Sequence, residues 1–353
     1  MEAWLSLKLI KWYQQNKRDL PWRHQNDPYF VWISEIILQQ TQVAQGTAYY
    51  HRFSETFSNI HLLANASEDA VLKMWQGLGY YSRARNLHAT AKIVSRQYNG
   101  IFPSSFQSIK DLKGIGDYTA AAIASFAFNL PYAVVDGNVY RVLSRIFGIE
   151  TPIDTSPAKK EFQELANSLL NKKQAALHNQ AIMEFGSQYC RPINPYCENC
   201  IFNNKCVAFD NNKVAMLPVK IKKIKTRNRY FNYVVIIDSE RKVLLNRRGG
   251  NDIWQGLYEF NLIETDAELS ADTLFESSEF KKLFTCSFSL VHVSKSYKHI
   301  LTHQHLYAKF YVVNVPFSLP QNNISTDLKS LKKYAFSRLT EKFLDDCVLK
   351  ELF

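Results

Sequence analysis

Leu112-Lys-Gly114-Ile-Gly116-Asp-Tyr118-Thr-Ala120, running directly into the apolar stretch Ala121-Ala-Ile-Ala-Ser125, decides what kind of fold this chain adopts. Two glycines let the backbone turn sharply and approach another surface closely, and the helix that follows offers free N–H groups at its start. Such an element suits a phosphate, although a plain Gly-rich turn ahead of a buried helix has the same spelling. Around it, apolar residues recur at spacings of three and four with Pro and Gly at the turns, which predicts an all-α part over residues 1–212. Residues 213–229 carry Lys213, Lys220, Lys222, Lys223, Lys225, Arg227 and Arg229, one proline and no acid, and read as a basic linker. Strand-like runs follow, Tyr233-Val-Val-Ile-Ile-Asp238, Val243-Leu-Leu245 and His305 to Val313. Residues 230–353 are therefore expected to form an α+β domain closing with a helix from Thr340 to Phe353.

A chain of 353 residues with 46% hydrophobic and 21% charged side chains is globular and too long for one core. No apolar run reaches the roughly 18 residues a membrane span needs, and the N-terminus reads as an amphipathic helix without a signal-peptide core. A cytoplasmic monomer with no membrane contact is expected. The net charge of +11 comes from 43 basic and 32 acidic residues. Residues 1–225 hold 26 against 17, so +9 of the excess lies there. That surface suits a polyanion, or is ordinary solubility charge.

Two carboxylates stand out. Glu35 lies in Val31-Trp-Ile-Ser-Glu35-Ile-Ile-Leu38-Gln39-Gln40-Thr41-Gln42, where its helical neighbours at three and four are mostly apolar, an environment that raises a carboxyl pKa. Asp136 lies in Val134-Val-Asp136-Gly-Asn138-Val-Tyr-Arg141. Read plainly, the first is a partly solvated helix glutamate and the second a turn residue or helix cap. Four cysteines form a C-x6-C-x2-C-x5-C array, Cys190, Cys197, Cys200 and Cys206, while Cys286 and Cys347 stand apart. In a reducing compartment such clustering favours a metal over disulfides, and tetrathiolates hold zinc or an iron-sulfur cluster.

These motifs, in this order, resemble the endonuclease III and MutY group of helix-hairpin-helix DNA glycosylases. The cysteine spacing is similar to their 4Fe-4S loop, here residues 190–206, in which Arg191 and Lys205 would face phosphate. The string around Glu35 resembles the signature of MutY-type adenine DNA glycosylases, together with Pro21-Trp-Arg23, Pro28-Tyr29 and Gly77-Leu78-Gly79-Tyr80-Tyr81. The resemblance implies Glu35 as general acid, Asp136 as the carboxylate facing the sugar, and Tyr118 and Asn138 in support. Gly114 and Gly116 would hold backbone phosphate, Leu78 and Tyr80 would wedge into the duplex, and Gln40 and Thr41 would lie by the base opposite the target. The last domain looks Nudix-like, but no REx2EE-type acid cluster follows Trp254-Gln-Gly256-Leu-Tyr-Glu-Phe260, so pyrophosphatase activity is not expected. Leu301-Thr302-His303 stands where the family has Phe-Ser-His against the lesion. The implied function is excision of adenine from double-stranded DNA opposite 8-oxoguanine or guanine, leaving an abasic site. A bifunctional endonuclease III-like glycosylase-lyase would instead need a lysine where Tyr118 stands, and a non-catalytic iron-sulfur DNA-binding protein would not need both acids. A chain ending near residue 225 is expected to fold and to keep removing adenine opposite guanine, while its advantage opposite 8-oxoguanine shrinks.

Overall fold

The computed structural model describes residues 3–221, 225–250, 252–284, 287–318 and 324–346. In chain order its α-helices are α1 (Ala3–Asn16), α2 (Pro28–Leu38), α3 (Val43–Thr56), α4 (Ile60–Asn65), α5 (Glu68–Trp75), α6 (Ser82–Gln97), α7 (Phe106–Lys110), α8 (Asp117–Phe128), α9 (Gly137–Phe147), α10 (Ser156–Leu169), α11 (Ala175–Gln188) and α12 (Val207–Asp210). Strands β1 (Arg227–Ile237), β2 (Lys242–Arg247), β3 (Tyr258–Glu259) and β4 (Asn261–Thr265) come next, then α13 (Ala271–Glu276) and α14 (Ser278–Lys281). Strands β5 (Ser289–Val293), β6 (Tyr297–Leu301), β7 (Gln304–Asn314) and β8 (Ile324–Asp327) precede α15 (Arg338–Asp345). The expected closing helix is thus α15, and residues 347–353 lie outside those described, as do Cys286, Cys347, Lys222 and Lys223.

Two units share the chain, and neither is continuous in sequence. One comprises Met1–Asn65 with Asn86–Lys222, the other Ala66–Arg85 with Lys223–Phe353. The contiguous division expected from sequence differs in residues 66–85, and the stretch 213–229 read as a linker is shared between the two units. Arg247 Nη2 lies 2.9 Å from Glu68 and 3.1 Å from Asp69, and the Tyr258 hydroxyl donates to Asp69 at 2.7 Å. Arg85 Nη1 donates to the Gln255 carbonyl at 2.6 Å, and Leu72 Cδ1 approaches Gly256, where a Cβ would stand 3.1 Å from it. The buried face of α5 (Val71, Leu72, Trp75) is spelled the same way whichever core it joins, which is why periodicity could not assign it.

The first unit is helical throughout its described residues. Leu5, Leu9 and Trp12 of α1 share one core with Val139, Val142 and Leu143 of α9, Phe162 of α10 and Phe185 of α11, and Phe202 of the cysteine segment joins them. Helix α2 opens on Pro28, with the Asp27 side chain accepting from the Tyr29 N–H at 2.8 Å. Because it is apolar nearly all round, it runs through the interior and carries Glu35 with it. Helix α9 starts from Asp136 as its cap and ends at Gly148, whose φ of 68° and closeness to Val207 exclude a side chain.

In the second unit the strands run in the order β3-β2-β1-β7-β5, with β4 on β1, β6 on β7 and β8 on β2. Strands β1 and β7 are parallel from Arg227↔Gln304 to Ile237↔Asn314. Alternation along them separates two faces: Phe231, Tyr233, Val235 and Phe310 pack against Phe343 of α15, and Val234, Ile236, Tyr311 and Val313 against Phe280 of α14. Strand β1 begins inside the stretch read as linker, and there Arg229 is only 7% exposed. Strands β6 and β7 close as a hairpin at Leu301↔Gln304, which leaves Thr302 and His303 as its tip.

Candidate active site

A cavity of about 670 Å³ in the first unit is lined by Glu35 from α2, Tyr118 from α8 and Asp136 and Asn138 from the start of α9. Glu35 is 7% exposed. The Tyr118 hydroxyl donates to Glu35 Oε2 at 2.9 Å. Burial raises the Glu35 carboxyl to about 7; the Tyr118 bond and Arg23 pull it down, and the Asp136 charge pushes it up. Near neutral pH this group therefore exists in both protonation states, which is what a proton donor requires.

Asp136 meets both readings of its sequence at once. Its Oδ1 caps α9, accepting from the N–H groups of Asn138 at 2.9 Å and Val139 at 2.8 Å. Its Oδ2 accepts from Asn138 Nδ2 at 2.7 Å, and the residue lines the cavity. Burial raises this carboxyl, while the three hydrogen bonds and Arg141 favour its charged form. Asn138 is held in turn by Arg141 Nη2, which donates to its Oδ1 at 2.8 Å, and Arg141 Nε reaches the Cys190 carbonyl at 2.7 Å. A buried acid beside a fixed carboxylate is the pair needed for glycosidic bond hydrolysis, in which a leaving group is protonated as positive charge develops on the sugar.

Sequence reasoning missed Glu184 and Arg18 on the same wall. Arg18 donates to both oxygens of Glu184 at 2.7 Å, and Arg23 Nη2 to Oε2 at 2.8 Å. Burial works to raise Glu184, but the two guanidiniums outweigh it and hold the carboxyl down at about 2. These partners lie more than 160 positions apart, and the only local signal was the Pro21-Trp22-Arg23 string. No lysine is among the described residues lining the cavity.

The remaining expected residues fall in three places. Gly114, Gly116, Gln40 and Thr41 line the same cavity. Gly114 must be glycine, since its φ is 77° and a Cβ would sit 2.6 Å from that of Asn86, whereas Gly116 faces open space at the start of α8. Tyr80 is 49% exposed and Leu78 8%, so of the pair expected to wedge, Leu78 is buried. Both belong to the second unit, where the Tyr80 hydroxyl is 2.8 Å from Thr302 Oγ1. Tyr80, Trp254, Leu301, Thr302, His303 and Gln304 border a second cavity of about 540 Å³.

Cys190, Cys197, Cys200 and Cys206 all line one small cavity beneath Phe185 and Phe202. Arg145 Nη1 donates to Cys190 Sγ and the Phe202 N–H to Cys200 Sγ, each at 3.4 Å. Burial, and then the neighbouring thiolates, push Cys200 up to about 12; burial also raises Cys197 and Cys206. No set of three or more described His, Cys, Asp or Glu side chains is arranged to hold a metal ion. Arg191, expected to face phosphate, donates to the Asn194 carbonyl and lies over the Tyr196 ring, and Lys205 lies over Trp4. None of the described helices is long and apolar enough to cross a membrane.

The chain matches the family model of the HhH-GPD superfamily base excision DNA repair proteins over residues 33–168 and the NUDIX domain over 232–346. An adenine DNA glycosylase of Buchnera aphidicola (subsp. Baizongia pistaciae) is 34% identical over 322 residues, covering 90% of this chain and 88% of that protein. The Homo sapiens adenine DNA glycosylase is 40% identical over 209 residues, 57% of this chain and 38% of that protein. Among solved structures, a thermostable thymine-DNA glycosylase superposes with a TM-score of 0.55 at 29% identity, over 59% of this chain and 95% of that one. An endonuclease III–DNA covalent intermediate, at 21% identity, covers 59% of this chain and 94% of its own with a TM-score of 0.52, a likeness of fold.

Proposed function

The chain belongs to the adenine DNA glycosylase family of base-excision repair enzymes, and on that premise we propose that it removes adenine lying opposite 8-oxoguanine or guanine in double-stranded DNA and leaves an abasic site. The observation that carries the reading is the buried pair in the first cavity: Glu35 with its carboxyl raised to about 7, bonded to Tyr118, beside a structurally fixed Asp136. Glu35 donates a proton to the departing adenine and, once ionised, accepts one from the attacking water. Asp136 balances the cation that develops on the sugar, and Asn138 keeps its Oδ2 aimed. A base inside a duplex must be turned out to reach such groups, at a cost of a few kcal/mol. The charged set of Arg23 and Glu184, with Trp22 beside it, is suited to reading the edge and face of the extruded purine.

Tyr118 and the absence of lysine from the described lining favour simple hydrolysis over the lyase route, because a phenol cannot form the Schiff base that strand cleavage requires. Cys190, Cys197, Cys200 and Cys206 would hold a 4Fe-4S cluster: four thiols share one cavity, and the Arg145 and Phe202 N–H groups already point at two of them. Bound there, such a cluster cross-links a loop with little core of its own. In the second unit, Tyr80 and the Thr302 tip border the surface assigned to the lesion. The test is single-turnover excision from duplexes carrying adenine opposite 8-oxoguanine, guanine or thymine, with strand breaks scored before and after alkali. Breaks should appear only after alkali and fastest opposite 8-oxoguanine. Efficient borohydride trapping of the protein on DNA would overturn the hydrolytic route, and equal rates opposite all three bases would overturn the lesion preference.

A further inference from the structure

At the start of β1, Arg229 ties together parts of the second unit that no local sequence pattern connects. Its guanidinium donates to both oxygens of Glu264 at 2.6 Å and to both of Asp252 at 2.8 and 2.7 Å. Nη1 also donates to Gln304 Oε1 at 3.1 Å, and the cation lies over the Phe231 ring. Asp252 is shared with Arg248, whose Nε holds the Ile253 carbonyl at 2.8 Å. Arg229 and Arg248 together hold the Asp252 carboxyl well below the usual range, so the junction stays charged.

Two segments meet at this junction. One runs through Asp252 to Trp254, which has a φ of 62° and packs on Phe231 and His299. The other begins at Gln304, which closes the β6–β7 hairpin opposite Leu301 and so sets the height of the Thr302 tip. Both border the cavity that Tyr80 also lines. Only a planar fork with five donors can satisfy two carboxylates and an amide oxygen at once.

We propose that Arg229, acting through Gln304 and Asp252, is a positioning residue for lesion preference: it fixes the Thr302 tip and the Trp254 segment at the spacing that distinguishes 8-oxoguanine from guanine. The inference rests on the reading of this cavity as the lesion surface. Holoenzyme carrying Arg229→Gln or Gln304→Ala is titrated against duplexes with adenine opposite 8-oxoguanine or guanine, and half-saturating concentration is separated from maximal rate. Gln304→Ala removes one charge-assisted hydrogen bond and leaves both ion pairs, so the 8-oxoguanine advantage in half-saturation should fall about tenfold or more. Arg229→Gln should lower it at least as much, and the double variant no further than Arg229→Gln alone. Maximal rates opposite guanine should stay within about twofold in Arg229→Gln, because Arg229 lines neither cavity. If Gln304→Ala keeps the full advantage, the inference is wrong, whatever Arg229→Gln does to folding. If the wild type itself has no advantage, the lesion reading fails and the inference with it.

Discussion

Replacing Glu35 by Gln keeps the shape of the side chain and removes its proton chemistry, so it separates two consequences of one buried carboxyl. Folded, this group titrates at about 7, against an ordinary value of 4.5. The folded state therefore binds the proton more tightly than the unfolded chain between those values. The stabilising contribution is fully present below pH 4.5 and is lost as pH rises through 7. At about 1.4 kcal/mol per pKa unit the whole span is worth roughly 3 kcal/mol, of which about 2–3 kcal/mol falls between pH 5 and pH 8. Glu35→Gln has no such titration. Its melting temperature should decline less than that of the wild type over this range, by several degrees given about 2–4 °C per kcal/mol for a unit of this size. Excision should drop by about a hundred- to ten-thousand-fold while binding to an uncleavable duplex persists. Thermal melts from pH 5 to pH 8 and single-turnover excision on the same preparations make the comparison. Parallel melting curves for the two proteins would refute the buried, protonated carboxyl, and near-wild-type excision would refute its role as acid.

Tyr118→Phe removes the hydrogen bond that lowers the Glu35 carboxyl, so the alkaline limb of the pH–rate profile should move to higher pH; a limb that stays or moves down would contradict the geometry. Asp136→Asn keeps an oxygen able to cap α9, so melting should change little, while excision falls by about a hundredfold or more because an amide cannot balance the sugar cation. Cys200→Ser should leave protein that lacks iron and acid-labile sulfide, with proteolysis of residues 190–206 appearing before any intrinsic loss of chemistry; full iron content in this variant would remove Cys200 from the ligand set. Stoichiometric zinc without iron in anaerobically purified wild type would overturn the cluster as a whole.

What could be read in the sequence was what is written locally. Glu35 sits among apolar neighbours at three and four, and the glycines of residues 112–120 announce a turn whose first member, Gly114, does require a positive φ. For Asp136, choosing between cap and site was a false alternative, since the residue that caps α9 through Oδ1 also lines the cavity. Glu184 escaped notice because its meaning comes from Arg18 and Arg23, more than 160 residues earlier. Arg229 read as one more cation in a basic run until its partners Asp252, Glu264 and Gln304 were seen. Leu78 and Tyr80 are near neighbours in a glycine-rich loop, yet one is buried and the other exposed, a difference fixed by backbone turns that composition does not record.

The excursion of residues 66–85 into the second unit has a consequence in time. A ribosome makes α5 early, but the rest of its unit begins only at Lys223, about 140 residues later. At about 5–20 residues per second, Leu72 waits on the order of 10 s or more for Gly256 to be synthesised, and Asp69 and Arg85 for Tyr258 and Gln255. All of the first unit has left the ribosome's active centre by then. A nascent chain at this stage holds the segment without those partners. A protein ended near residue 225 would lack those partners permanently, so the truncation strips residues 66–85 of their contacts as well as removing the Thr302 tip. Point substitutions at Thr302 and Gln304 ask the same question of a finished molecule.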